Sequence, residues 1–344
     1  MSDGSTIEWL SWPGYRPASW NPARDCTGQV RLYEANLLLP LKWRAPRCTF
    51  VNSTSDLFHE RLPDEAIDRV FAVMALCPQH LFICTTKMAE RMREYFDRCS
   101  KPDPDGFVAE DIRVALTTIS QTPSRRERCP ALKKIPLGKF CQQIAWPLPN
   151  VVLGVSVEDQ ATADERIPHL LATPAACRMV SAEPLLSAVT LFEHDEFDDK
   201  WVGPGVISDV VRQPGTPNEP EEWIDGSYPG IDWVITGGES GHDARPAHPE
   251  WFRSIRDQCR AANVAYFHKQ NGEWAPGGPP RTGVLLPRPI SLALDGTYQD
   301  IHALPRNTAI KIGNGEVLMA RVGKYRAGRL LDGRTHDEFP ETSR

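Results

Sequence analysis

The chain has 344 residues, 41% of them hydrophobic and 24% charged, the balance of a soluble globular protein and enough length for one large domain with an appendage, or for two. A net charge of −6 excludes a surface that coats nucleic acid generally, though it leaves room for a local basic groove. No apolar run approaches a membrane span and no signal peptide opens the chain, so a cytoplasmic protein without membrane contact is expected. Nine cysteines fall singly, none in a C-x-x-C pair; this is the thiol usage of a reducing compartment, not a disulfide framework or a zinc site.

Residues 1–25, with Trp9, Trp12, Trp20, Pro13, Pro17 and Pro22, read as an irregular lead-in packed on the base of the domain. Residues 48–53 read as a buried strand with a polar tip continuing to His59. A helix opens at Pro63-Asp64-Glu65, where proline suits the first position and acids the first turn; Ile67, Val70, Phe71 and Met74 form its apolar face. Residues 81–87 are the next strand. Met88, Met92, Tyr95 and Phe96 mark a second amphipathic helix, with both methionines expected in the core. Between 100 and 149 the pattern is weaker: residues 112–119 suit a strand or a helix, and the basic run 125–139 reads as a solvated loop rather than a polyanion contact.

Residues 150–157 are a strongly apolar strand tipped by Glu158-Asp159-Gln160, followed by a helix with Ile167, Leu170 and Leu171 inside. Residues 178–184 form another strand with Glu183 near its end. Residues 193–229 are acidic, then rich in proline and glycine, as in an insertion or long loop. Residues 231–236 are a buried strand running into Gly237-Gly238-Glu239-Ser240-Gly241; glycine there permits positive φ and close backbone approach to a ligand. His248-Pro249-Glu250 starts a helix with Phe252, Ile255, Cys259 and Ala262 on one face, and 264–270 is the last strand of the series. From Ala275 the alternation stops.

Strands separated by helices of this length imply βαβ units and a parallel sheet. Each strand ends in polar residues: Asn52, Ser53 and Asp56; Thr86 and Lys87; Ser156, Glu158 and Asp159; Ser181 and Glu183; Glu239 and Ser240; Lys269 and Gln270. In a barrel or an open parallel sheet such tips gather where ligands bind. Ser156, Asp159 and Ser240 also suit helix N-caps, whereas Glu183 and Lys269 do not. The absence of G-x-G-x-x-G or a P-loop after any strand favours a barrel. The expected architecture is therefore an α/β fold, a parallel β/α barrel over residues 1–275 with a small C-terminal extension, 276–344, packed on it. Asn52, Asp56, Lys87, Glu158, Glu183, Glu239 and Lys269 are expected to line one pocket.

The segments Ile7-Glu8-Trp9, Ser19-Trp20-Asn21-Pro22, Pro40-Leu41-Lys42-Trp43-Arg44, FVNSTSDLFHE (50–60), LGVSVEDQATADERIPHL (153–170), GGESG (237–241), His268-Lys269-Gln270 and AGRLLDGR (327–334) together resemble the phage-protein family called Gp thirty-seven / Gp sixty-eight, a domain of unknown function related to radical-SAM enzymes. The likeness runs from about residue 7 to residue 340. It implies a radical-SAM-like barrel, TIM-type and either complete or partial, with S-adenosylmethionine and a [4Fe–4S] cluster as cofactors. It also implies a separate three-cysteine-motif protein as partner, and it leaves nucleic acid open. Three thiolates hold such a cluster. Here Cys26 stands at the first of the family's three cysteines, as the metal-ligand candidate, but the chain passes directly to Gly28-Gln29-Val30. The segment carrying the other two is missing, so cluster assembly is not expected.

If the S-adenosylmethionine site survives, Ser53, Ser156, Glu158, Gly237, Gly238 and Ser240 are its expected contacts. Asn52, Asp56, Lys87, Asp159 and Gln270 are candidate substrate contacts. Glu183, Glu239 and Lys269 are the candidates for acid–base work on the same barrel without iron. Three readings follow: a radical-SAM-like protein that has lost its cluster, a non-radical enzyme using those three residues, or a non-catalytic binding partner.

Overall fold

The computed structural model describes residues 10–12, 34–52, 55–102, 109–121, 144–191, 193–195, 200–202, 230–277, 289–301 and 315–340. The basic run 125–139, Ser53 and Cys26 lie outside the described residues. The chain divides into two compact units, Met1–Val155 with His169–Arg178, and Ser156–Pro168 with Met179–Arg344.

In the first unit, β1 (Leu10–Trp12) pairs in parallel with β2 (Cys48–Val51), β2 with β3 (Leu81–Thr86), and β3 with β4 (Val151–Ser156). Part of the lead-in is thus an edge strand, too short at three residues to show an alternating pattern. A helical turn α1 (Glu34–Leu37) and a 3-10 turn (Pro40–Lys42) precede β2. Helix α2 (Asp64–Ala75) buries the expected Ile67, Val70, Phe71 and Met74. Its last carbonyls have no partner within the helix; Asn150 Nδ2 donates to Met74 O and Cys77 O at 3.1 Å each. In α3 (Ala89–Ser100), Met92 is buried but Met88 is 43% exposed, contrary to expectation. Met88 sits one residue ahead of the helix, off its buried face. The ambiguous stretch is a helix, α4 (Glu110–Gln121), burying Ile112, Leu116 and Ile119 at a 3.6-residue spacing. Phe58, Phe71, Tyr95, Phe96 and Trp146 form an aromatic core, with Phe96 and Trp146 stacked at 5.2 Å.

The second unit is built on β5 (Arg178–Ala182), β8 (Trp233–Gly237) and β9 (Ala265–Gln270), parallel to one another. Within this unit the hydrogen-bond order is β5-β8-β9. Helix α5 (Gln160–Ala172) follows β4, and a small hairpin, β6 (Glu193–Asp195) with β7 (Lys200–Val202), interrupts the series inside the expected insertion. Between β8 and β9 runs α6 (Pro249–Ala261), which buries Trp251, Phe252, Ile255 and Cys259. Its N-cap is His248, whose ring Nδ1 accepts from Glu250 N at 3.1 Å. The fold is therefore α/β with a parallel sheet, as the alternation implied.

Beyond β9 the architecture changes. Strands β10 (Trp274–Pro276), β11 (Pro289–Leu292), β12 (Tyr298–Asp300) and β13 (Val317–Arg321) form an antiparallel sheet in the order β10-β13-β11-β12. It packs around Trp274, Ile290, Leu292 and Met319. A short helix, α7 (Lys324–Ala327), follows. The final stretch runs back along β9: His268 N donates to His336 O at 3.0 Å and Glu338 N to Tyr266 O at 3.2 Å. A strand edge that would otherwise offer unpaired amides is covered.

Candidate functional site

The polar strand tips of the second unit meet through backbone first. Past Glu183 the chain crosses neighbouring tips, with Leu185 N donating to Gly237 O at 3.0 Å and Leu186 N to Glu158 O at 2.8 Å. Gly238 N donates to Gln270 O at 2.9 Å, carrying the β8–β9 pairing into the glycine loop.

On this frame stand three carboxylate–cation pairs. Glu183 Oε2 accepts from Lys269 Nζ at 2.8 Å, and its Oε1 from Gln270 Nε2 at 2.7 Å. Glu158 Oε2 accepts from Arg166 Nη1 at 2.9 Å, and the same nitrogen donates to Ser156 O at 2.6 Å. Glu239 accepts three bonds from Arg245: from its N and Nε to Oε2 at 2.8 Å each, and from Nη2 to Oε1 at 3.0 Å. The hydrogen bonds from the Arg245 side chain hold the Glu239 carboxyl below the usual carboxylate range. The pairs differ in access. Arg166 is 13% exposed and sealed, whereas Lys269 and Arg245 are 38% and 57% exposed and present their heads to solvent. Gln270 is buried, and its Oε1 has no hydrogen-bond partner, an acceptor held in reserve beside Glu183.

The glycines allow close packing within this frame. A Cβ on Gly237 would lie 2.8 Å from Glu183 Cδ, and one on Gly238 would lie 2.3 Å from Asn271 O. Gly237 lets the Glu183 carboxylate rest on β8; Gly238 lets two backbones touch. Glu239, a candidate for catalysis, spends both oxygens on Arg245 and anchors its own loop. Ser240 is exposed and precedes no helix, so it caps nothing. Ser156 ends β4 and contributes its carbonyl. Asp159 is a cap: its Oδ1 accepts from Thr162 N at 2.9 Å, and that bond leads in lowering its pKa.

In the first unit, Asp56 is occupied internally. Its Oδ1 accepts from Thr86 Oγ1 at 2.7 Å and Phe58 N at 2.9 Å, and its Oδ2 from Lys87 N at 2.9 Å. That fastens the loop after β2 to the tip of β3. Asn52 sits at φ 54°, a left-handed conformation asparagine tolerates. The Lys87 side chain is exposed.

Two participants escaped the sequence reading, Arg166 and Arg245. Arg166 lies on α5, eight residues beyond its carboxylate, where helix spacing alone does not announce a partner in a strand tip. Arg245 lies in the loop six residues after Glu239.

The described thiols do not fit a cluster. Among the described residues no three His, Cys, Asp or Glu side chains come together as metal ligands. Burial pushes the Cys48 thiol up to about 12 and Cys99 to about 11, and it raises Cys84 and Cys259 as well, whereas iron is held by thiolate.

Residues 10–340 match a family described as protein of unknown function (DUF5131), and the chain belongs to that family. No curated protein and no solved structure matches it. No helix among the described residues is long and apolar enough to cross a membrane.

Proposed function

We propose that this is a cytoplasmic protein of phage or prophage lineage, built as a radical-SAM-like β/α barrel, whose second unit binds a small zwitterionic ligand at its strand tips without a cluster. The observation that carries the reading is the Glu183–Lys269–Gln270 group. It is neutral overall, half open at the lysine, and holds one unsatisfied acceptor. A ligand with an ammonium and a carboxylate matches it by exchange: the carboxylate takes Lys269, with Arg245 as a second exposed cation, while the ammonium takes Glu183 and Gln270 Oε1. Each internal ion pair is replaced by an equivalent charged hydrogen bond, so no charge is left buried and alone. The amino-acid portion of S-adenosylmethionine, the cofactor the sequence resemblance implies, has this chemistry.

The test is calorimetry with S-adenosylmethionine on the folded protein. We expect one-to-one binding, weakened about tenfold or more by Lys269→Ala and by Glu183→Gln, since a hydrogen bond to a charged group contributes about 1.5–3 kcal/mol. No heat at millimolar ligand, or equal affinity in both variants, overturns the reading. In that event a non-catalytic role beside a three-cysteine-motif partner becomes the better account.

A further inference from the structure

The segment from β13 through α7 opposes the net charge of the chain. Between residues 321 and 334 stand Arg321, Lys324, Arg326, Arg329 and Arg334 against one acid, Asp332. Several of these are committed: Arg321 Nη2 donates to Gly241 O, Arg329 pairs with Asp337, and Asp332 is held by Arg253 and Arg256. Lys324 and Arg326 are exposed, and no carboxylate among the described residues lies within ion-pair distance of either. Between them projects Tyr325, 98% exposed. A large ring held fully in water by a helical turn with no buried residue contributes nothing to the core. The turn itself is fixed: Asn271 N donates to Gly328 O and Asn271 Nδ2 to Ala327 O, each at 2.9 Å. Asn271 is two residues beyond Lys269, so the exposed ring and its two cations stand beside the tip of β9.

We infer that the α7 turn is a docking surface for single-stranded nucleic acid, with Tyr325 stacking on a base and Lys324 and Arg326 contacting the flanking phosphates. An aromatic face between two cations meets the repeating pattern of an unpaired strand, in which flat rings alternate with negative charge. A duplex keeps its bases stacked inside and offers Tyr325 no ring. A membrane surface fits poorly, because α7 has no continuous apolar face to insert. This surface does not depend on the ligand reading above; it adds a polymer contact at the same end of β9.

The experiment is fluorescence anisotropy with labelled oligothymidylate and oligouridylate of about 20 nucleotides, longer than the footprint of one single-strand-binding fold, alongside a duplex of equal length. We expect single strands to bind more tightly than the duplex, with the DNA and RNA arms reporting which sugar is preferred. Tyr325→Ala should weaken binding about tenfold, and Tyr325→Phe should restore it. Lys324→Ala with Arg326→Ala should reduce the slope of log affinity against log salt by about 1.4, the loss of two phosphate contacts. These side chains are exposed, so the variants should fold as the parent does, which circular dichroism checks. Affinity unchanged by Tyr325→Ala, preference for duplex, no binding at low salt, or Tyr325-dependent binding to anionic vesicles instead of oligonucleotide would each overturn the inference.

Discussion

At the scale of single residues, Gly237 and Gly238 show how alike two positions look in sequence and how differently they act. Both were read as space for a ligand. Both make room within the protein, one for a side chain and one for a main chain. Gly237→Ala meets the Glu183 carboxyl, which can rotate away at the expense of its bond to Lys269; we expect a cost of about 1 kcal/mol in stability and loss of the ligand binding proposed above. Gly238→Ala meets Asn271 O, a backbone atom already fixed by β9 and the α7 turn, and should cost about 3 kcal/mol or more. Urea denaturation of the two variants compares them directly, and equal midpoints would refute the distinction. Glu183 and Lys269 stood out in the sequence as strand-tip residues that no cap explains. What they bond to was not legible, since Glu183 and Lys269 are 86 positions apart and no local rule connects them.

At the scale of elements, the buried parallel strands and their helices were legible because each carries a strong local signal. The run VVLGVS in β4 is almost wholly buried, and α6 opens with a proline and places Trp251, Phe252, Ile255 and Cys259 inward. The antiparallel sheet beyond β9 was not legible. Its strands are three to five residues long, and β12 is exposed throughout, so no alternation develops. Edge strand β1 failed for the same reason. Element ends give a sharper test. Asp159 caps α5 through Thr162 N, and Thr162 Oγ1 accepts in return from Glu158 N at 2.9 Å. Asp159→Ala should therefore destabilise by about 1 kcal/mol, while Asp159→Asn, which keeps an acceptor, should cost much less. If thermal unfolding finds the two variants equally stable, the cap is not what Asp159 supplies.

At the scale of the molecule, we expect the second unit to be the more sensitive to acid, and the reason lies under its covered edge. His268 is fully buried: Thr236 Oγ1 lies 3.0 Å from its Nδ1, and Asn271 Oδ1 lies 2.9 Å from its Nε2. Burial lowers its pKa to about 4. Burial also lowers His248 and His336, the latter with help from Arg334 and Arg256. A histidine kept neutral in the fold binds fewer protons than in the unfolded chain, so its contribution is complete above its unfolded pKa, near 6.5, and is lost as pH falls towards the folded value. For His268 that interval corresponds to about 3 kcal/mol. A second loss follows at lower pH, because hydrogen bonds from Arg253 and Arg256 hold Asp332 at about 2 and those from Arg245 lower Glu239. In the first unit His80 shares the histidine sign, but burial raises Asp68, whose protonation relieves a cost as pH falls. The second unit should therefore open first between pH 6.5 and 4. Hydrogen exchange followed by mass spectrometry, corrected for the intrinsic pH dependence of exchange, reads this at the amides of His268 and Glu338, which bond across the covered edge. Protection there should fall before protection in β2 and β3. His268→Gln, which cannot titrate, should flatten the decline; the same loss of protection in that variant would place the acid sensitivity elsewhere.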